Sequence, residues 1–142
     1  MKLISFRRLA PAVASIALAS CAAPVQPGLK DVVGDRFTIG VAANGEQMAG
    51  RDSVGTAIIK RHFNSIVAEN VMKCQYIHPE EGRYDFAGAD SLMAFAEANG
   101  MEVIGHCLVW HSMAAPWFFV DSAGNEVSAE VLRQRMVDHI KT

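Results

Sequence analysis

Apolar and polar positions along residues 37–142 follow two different periods. Short runs rich in β-branched residues predict strands, and longer stretches with an apolar residue every three or four positions predict helices. Strands that alternate with helices predict an α/β fold with a parallel sheet and right-handed crossovers. The strands are predicted at 37–42, 65–69 and 101–105, and the helices at 52–64, 85–99 and from 128 onward. Asp52 or Ser53 is expected to cap the first helix. The apolar positions expected to share one face are Val54, Ile58, Ile59 and Phe63 in the first helix and Leu92, Phe95 and Ala96 in the second.

Three βα units are too few to close a (β/α)8 barrel, which needs eight. As an isolated sheet they would leave both outer strands without a neighbour, and unpaired strand edges favour aggregation. The pattern therefore predicts the opening part of a larger fold, which is incomplete in this chain.

The first twenty residues have the pattern of an export signal. Three basic residues precede an apolar stretch at 9–20, which is too short to span a bilayer, and small residues then lead to Cys21. We interpret residues 1–20 as a lipoprotein-type signal peptide and Cys21 as the lipidated residue. An ordinary secretory signal with a chance cysteine is the alternative. The protein is then expected at the cell surface or in the periplasm, with the lipid anchor as its only contact with the membrane.

Residues 21–34 begin with a Pro- and Gly-containing stretch, which predicts a linker before a domain at 35–142. Removal of the signal peptide lowers the net charge from −2 to −5, and no basic run is visible, so nucleic acid is not an expected partner. Two cysteines, Cys74 and Cys107, remain inside the domain. Both lie at predicted strand ends, where buried free thiols are common, so free thiols are favoured over a disulfide.

Polar and aromatic side chains follow each predicted strand. The carboxyl ends of parallel strands carry the chemistry of α/β folds, so these side chains are candidates for a site. Acids, amides, a lysine and indoles on one face suit a neutral polyhydroxylated ligand, whose hydroxyls need donors and acceptors and whose C–H face stacks on an indole. The candidates are Asn44 with Glu46, then Glu69 with Asn70 and Lys73, then His106 with Trp110 and His111.

The cluster after the third strand has two other interpretations. In the first, Trp110 belongs to the core, and His106 and His111 are hydrogen-bonded supports. In the second, weaker one, the two histidines bind zinc. Their spacing of five residues matches neither helical pairing nor a paired-cysteine motif.

Three motifs carry a family resemblance. The stretches at 67–73 (VAENVMK), 82–90 (GRYDFAGAD) and 105–112 (GHCLVWHS) resemble glycoside hydrolase family 10, the endo-1,4-β-xylanases. Their order and spacing are similar to the first three βα units of that family's (β/α)8 TIM barrel, and the resemblance covers 35–142. It implies a retaining endo-1,4-β-xylanase that hydrolyses internal β-1,4-xylosidic bonds of xylan, with xylan or xylo-oligosaccharide as partner and with no cofactor or metal.

The resemblance also implies roles for individual residues. Glu69, Asn70 and Lys73 match residues that hold sugars on the glycone side of the cleft, and His106 and Trp110 match residues at the sugar next to the scissile bond. The family's acid/base and nucleophile are two Glu after strands four and seven, which in retaining enzymes lie about 5–5.5 Å apart. No residue of this chain is therefore assigned as catalytic. We expect the isolated chain to be inactive and to need the rest of the barrel.

The chain departs from the family pattern at three places. Cys74 stands where the family has Trp, Met113 stands where it has Gln, and the Pro-x-Trp spacing is shifted around 115–117. The first two changes remove groups that line the cleft in the family. A non-catalytic surface lipoprotein that binds xylo-oligosaccharides is the alternative function.

Overall fold

The computed structural model describes residues 26–142; the predicted signal peptide and Cys21 lie outside this range. Three strands and six α-helices form its framework, with short 3₁₀ turns at Gly34–Arg36, His111–Met113 and Pro116–Phe118. The strands are β1 (Gly40–Ala43), β2 (Ser65–Ala68) and β3 (Glu102–Ile104). The helices are α1 (Leu29–Val33), α2 (Gly45–Met48), α3 (Ser53–His62), α4 (Cys74–Ile77), α5 (Ala87–Ala98) and α6 (Ala129–Lys141).

The three strands form one parallel sheet in the order β1-β2-β3. In its register Ala43 lies opposite Ala68, and Val67 lies opposite Ile104. The predicted α/β alternation with parallel pairing is confirmed. The carboxyl ends of all three strands consequently meet at one edge of the sheet.

The two faces of the sheet differ in burial. One face packs against α3 and α5, where Ile59, Ile66 and Leu92 are at most 3% exposed. The other face carries Val67 and Ile104 and has no helix over it in the described part of the chain; Ile104 is 59% exposed. In a (β/α)8 barrel this second face lines the interior, where side chains from all strands fill the core.

The first predicted strand is too long at its start. Residues 37–39 lie outside β1, and Phe37 is 60% exposed. The ladder begins at Gly40 because its partner begins at Ser65, and the side chain of Asn64 accepts the Ile39 N–H at 2.8 Å. Residues 37–39 have high β-propensity, which led to a predicted strand that begins before the point where a neighbouring strand is available for pairing.

The predicted apolar stripe of α3 is wrong in part. Asp52 caps the helix as predicted, with its carboxylate accepting the Gly55 N–H at 2.9 Å. Val54 and Ile58, however, are 70% and 50% exposed. The buried face runs through Thr56 and Ile59 instead, because the Thr56 hydroxyl donates to the carbonyl of Gln47 and ties that face to α2.

Helix α5 confirms its prediction, since Leu92, Phe95 and Ala96 are buried. Its first turn lies very close to the segment after β2. A Cβ at Gly88 would lie 2.8 Å from the Cβ of Val71, so only glycine permits this approach.

Residues 26–34 differ from the linker predicted there, since α1 docks on the end of α3. The Leu29 N–H donates to His62 Nδ1 at 3.2 Å, the Lys30 amine to the Lys60 carbonyl at 2.8 Å, and Arg61 to the Gln26 carbonyl at 2.7 Å. These polar contacts fix a stretch whose composition predicts a linker. No helix within residues 26–142 has the length and apolarity needed to cross a membrane.

Candidate substrate-binding groove

An open groove of about 460 Å³ lies at the carboxyl edge of the sheet. Its walls come from all three strands and from the loops after β2 and β3. They include four of the five predicted sugar-binding residues, Glu69, Lys73, His106 and Trp110. Ala42, Val67, Ala68 and Ile104 form its floor. The fifth, Asn70, contacts Lys73 at its margin.

The turn after β2 brings Asn70 and Lys73 together. The Lys73 N–H donates to the Asn70 carbonyl at 2.8 Å, and the Lys73 amine donates to Asn70 Oδ1 at 2.9 Å. One of the three ammonium N–H groups is thereby used, and the others stay available as donors. The Asn70 side-chain oxygen thereby fixes the position of the lysine. The side-chain N–H groups of Asn70 have no hydrogen-bond partner within residues 26–142.

Glu69 is the first residue after β2. Its backbone N–H donates to the Ala43 carbonyl at 2.9 Å, which fixes the main chain at the end of the strand. Its side chain is exposed in the groove, and no ion pair to it occurs among the described residues. A free carboxylate next to ammonium and amide groups gives the groove both acceptors and donors.

His106 and Trp110 form the opposite wall on the loop after β3. Their rings lie 6.2 Å apart, and the peptide bond between His106 and Cys107 is cis. The Lys73 amine lies 5.1 Å from the centre of the Trp110 ring, within cation–π range. Side chains from two neighbouring strand ends therefore converge on one groove.

The interpretation of Trp110 as a core residue is wrong, since its side chain is 39% exposed. His111 is exposed as well and hydrogen-bonds the Ser112 hydroxyl at 3.0 Å. Within residues 26–142, no three or more His, Cys, Asp or Glu residues gather in a metal-binding group.

The cluster predicted after the first strand does not join the groove. Asn44 caps α2, and its Oδ1 accepts the N–H groups of Glu46 and Gln47 at 3.1 and 3.2 Å. Glu46 forms an exposed ion pair with Arg51 at 2.7 Å, and the hydrogen bond from Arg51 lowers the pKa of the Glu46 carboxyl. Both side chains are occupied in local structure.

The structure places two of the residues that depart from the family pattern, Cys74 and Met113. Cys74 is 1% exposed and packs with Ala115 and Phe118, so it faces a small second core rather than the groove. This burial raises the pKa of the Cys74 thiol. Cys74 and Cys107 are both free cysteines, as the sequence favoured. Met113 lies half-buried in a 3₁₀ turn.

Sequence analysis missed a buried aromatic cluster behind the groove. His78 is 3% exposed, stacks on Tyr84 with ring centres 3.9 Å apart, and accepts the Trp117 indole N–H at its carbonyl at 3.0 Å. Arg135 on α6 lies 5.3 Å from the Trp117 ring, pairs with Glu81, and donates to carbonyls in 117–120. The cluster draws on two separate loops, 78–86 and 105–128, and on α6, so no local periodicity of the sequence reveals it.

A family model described as glycosyl hydrolase family 10 matches residues 28–142. The chain belongs to glycosyl hydrolase family 10. Within this family, an endo-1,4-beta-xylanase A from Xylanibacter ruminicola is 51% identical over 115 residues, which are 81% of this chain and 31% of that protein. The family 10 chain described here thus spans about a third of the length of that relative.

Solved family 10 structures share its fold. The endo-1,4-beta-xylanase from Caldicellulosiruptor owensensis superposes with a TM-score of 0.71 at 40% identity, covering 82% of this chain and 34% of that one. A mutant protein solved in complex with xylotriose gives a TM-score of 0.72 at 34% identity, with the same two coverages. The three βα units are therefore part of a (β/α)8 barrel, as the sequence predicted.

Proposed function

We propose that this family 10 chain forms the glycone side of the cleft of a retaining endo-1,4-β-xylanase that acts on internal β-1,4-xylosidic bonds. The observation that carries the proposal is the convergence of Lys73 and Trp110, 5.1 Å apart, from two different strand ends. The curated relative's name and the xylotriose complex of a structural neighbour support xylan as the substrate class.

The chemistry of the groove fits a neutral sugar. Xylose presents hydroxyls that need both donors and acceptors, and the groove offers the Lys73 ammonium and Asn70 amide as donors and the Glu69 carboxylate as acceptor. The half-exposed Trp110 indole provides an apolar surface for a C–H face. A few polar groups beside an aromatic platform are typical of small-ligand sites.

The groove as described does not hold a retaining catalytic pair. Glu69 is the one carboxylate that lines it within residues 26–142, whereas retention of configuration takes two carboxyls about 5–5.5 Å apart. The family resemblance assigns both to later strands. We therefore propose that these 142 residues bind xylo-oligosaccharide and do not cleave it.

Calorimetric titration of the chain with xylotriose tests binding. Saturable binding of xylotriose without binding of maltotriose is expected, because the proposal assigns the groove to a β-1,4-linked xylose chain. Glu69→Gln is expected to weaken binding, while Glu80→Gln, which lies in an exposed ion pair with Arg83, is the matched control and leaves it unchanged. Absence of binding by the folded chain would contradict the proposal.

Catalysis is tested by two assays. The purified chain is expected to leave an aryl xylobioside intact, and release of the aryl group would overturn the proposal that these residues bind the sugar without cleaving it. A chimera that joins residues 26–142 to the later βα units of the Xylanibacter ruminicola relative is expected to hydrolyse xylan. A folded chimera that binds xylotriose without hydrolysis would favour the alternative of a non-catalytic binding lipoprotein.

We also propose that the protein is exported and anchored by lipid at Cys21, at the cell surface or in the periplasm. Support comes from the basic start, the short apolar stretch and the small residues before that cysteine. Metabolic labelling with an alkyne fatty acid is expected to mark the wild type and not Cys21→Ala. Labelling of both proteins, or of neither, would contradict the anchor.

A further inference from the structure

The loop that carries His106 and Trp110 forms few backbone hydrogen bonds. Outside helices and strands, one backbone hydrogen bond in the described chain involves residues 106–110, from the Met113 N–H to the Trp110 carbonyl at 2.9 Å. The side chain of Leu108, at the middle of this loop, is 65% exposed, so packing does not anchor it. The loop needs another contact to hold the two rings in the groove wall.

That contact comes from His139 on α6. Its Nε2 lies 2.9 Å from the Leu108 carbonyl, which is two residues from His106 and two residues from Trp110. Its Nδ1 lies 3.3 Å from Nδ1 of His78. His139 therefore joins the groove loop to the buried aromatic cluster.

The geometry identifies which ring nitrogens carry hydrogen. A carbonyl oxygen can only accept, so His139 must donate from Nε2 to Leu108, and in its neutral form its Nδ1 is then bare. The centres of the His78 and His139 rings are 5.4 Å apart with planes 22° apart, so the rings meet edge to edge. His78 must then donate from Nδ1 to the bare Nδ1 of His139.

The surroundings of His78 agree with this assignment. Its Nε2 is buried and has no hydrogen-bond partner among the described residues. If Nδ1 holds the hydrogen, this orphan atom is a bare acceptor nitrogen, and no N–H donor is left buried without a partner. Stacking on Tyr84 and the Trp117 indole bond to its carbonyl hold His78 in place.

We propose that His139, oriented by His78, is a positioning residue that sets the placement of His106 and Trp110 in the groove. Two hydrogen bonds, from His78 to His139 and from His139 to the Leu108 carbonyl, connect the buried cluster to the groove loop, and we call them the relay. The consequence for sugar affinity rests on the proposed function of the groove, whereas the relay itself does not.

Nitrogen-15 NMR of the histidine side chains in the full chain, without sugar, tests the relay directly. The expected spectrum shows His139 protonated at Nε2 and bare at Nδ1, and His78 protonated at Nδ1 and bare at Nε2. Observation of His78 as the Nε2–H tautomer would overturn the proposal. This result does not depend on whether the groove binds xylotriose.

Two substitutions of His139 test positioning. His139→Phe keeps an aromatic ring but no donor, and it is expected to shift the Trp110 indole N–H signal and to weaken xylotriose binding about fivefold, the size expected when one net hydrogen bond is lost. His139→Gln keeps a side-chain N–H for the Leu108 carbonyl and is expected to restore the signal and bring affinity within about twofold of wild type.

An unchanged Trp110 signal in a folded His139→Phe protein would overturn the proposal. Should that variant fail to fold, His78→Phe decides the question, since it keeps an aromatic ring against Tyr84, removes the donor to His139, and must still shift the Trp110 signal. If wild type fails to bind xylotriose while the tautomers and the Trp110 shifts are as expected, the proposed function fails and the relay stands.

Discussion

Two tryptophans in this molecule each lie beside a cation, and their surroundings are opposite. Trp110 faces Lys73 at 5.1 Å, and Trp117 faces Arg135 at 5.3 Å. The Trp117 indole donates to the His78 carbonyl, and Arg135 donates to Glu81 and to backbone carbonyls. In the other pair, the one side-chain hydrogen bond within residues 26–142 runs from the Lys73 amine to Asn70 Oδ1.

The difference shows how a structural pair is told from a binding pair. The Trp117 indole N–H and the Arg135 guanidinium have their partners inside the protein, so they hold loops together and have little capacity left for a ligand. Around Trp110 donors and an acceptor are left open beside an exposed ring. The same residue types therefore stabilise the fold in one place and are free to bind in the other.

The largest difference in the free energy of unfolding is expected when each tryptophan is replaced by alanine. Trp117→Ala removes a packed ring and an indole hydrogen bond, and should lower the free energy of unfolding by about 3–5 kcal/mol. Trp110→Ala should lower it by less than about 1 kcal/mol, because its ring is exposed. Chemical denaturation measures both, and equal losses would remove the distinction between the two pairs.

Replacing the two cations should also cost more stability on the Trp117 side than on the Trp110 side. Arg135, with its side chain 14% exposed, binds carbonyls that would lose their donor, so Arg135→Met should cost roughly 2 kcal/mol of stability. Lys73→Met should change stability by no more than about 0.5 kcal/mol. Thermal and denaturant unfolding test this pair, and a large loss for the lysine variant would show that it is structural.

Sugar affinity, unlike stability, should depend on the Trp110 side of the molecule. Trp110→Ala is expected to weaken xylotriose binding roughly tenfold, which corresponds to about 1.4 kcal/mol of lost stacking and apolar contact. Tyr76→Ala, at an exposed aromatic outside the groove, should leave the affinity unchanged. Titration calorimetry distinguishes them, and equal effects would mean that exposed aromatic residues bind the sugar unspecifically.

The smallest expected effect is a pH dependence on the Trp117 side. Burial, and then the nearby His139, lowers the pKa of His78, while Glu81 opposes the shift. The unfolded chain then binds more protons below its ordinary pKa of about 6.5, so the free energy of unfolding falls as the pH drops from that value toward the folded pKa. His78→Asn should flatten this slope in denaturant titrations, and an unchanged slope would contradict the assignment to His78.

The sequence predicts the parallel ladder well because its cause is local. Buried strands appear in the sequence as apolar runs. In the helices between them the spacing of apolar residues indicates the buried face, and Leu92 and Phe95 in α5 are examples. The groove residues could be placed because parallel strands end at one edge. The resemblance supplied the sugar chemistry expected there.

Other features depend on contacts that no local pattern encodes. The buried face of α3 is decided by a hydroxyl bond from Thr56 to a carbonyl nine residues earlier. The docking of α1 uses polar contacts to residues about thirty positions away. His78 has the sequence context of a solvated loop histidine, yet Tyr84 and, from distant parts of the sequence, Trp117 and His139 pack around it.

The close approach of Gly88 to Val71 has a consequence for how the cleft could be retuned. Val71 follows directly after Asn70, so the first turn of α5 limits how far this stretch can move away from the groove. Any side chain at position 88 would push Val71, and with it Asn70, toward the groove. A helix that does not line the groove thereby limits its width.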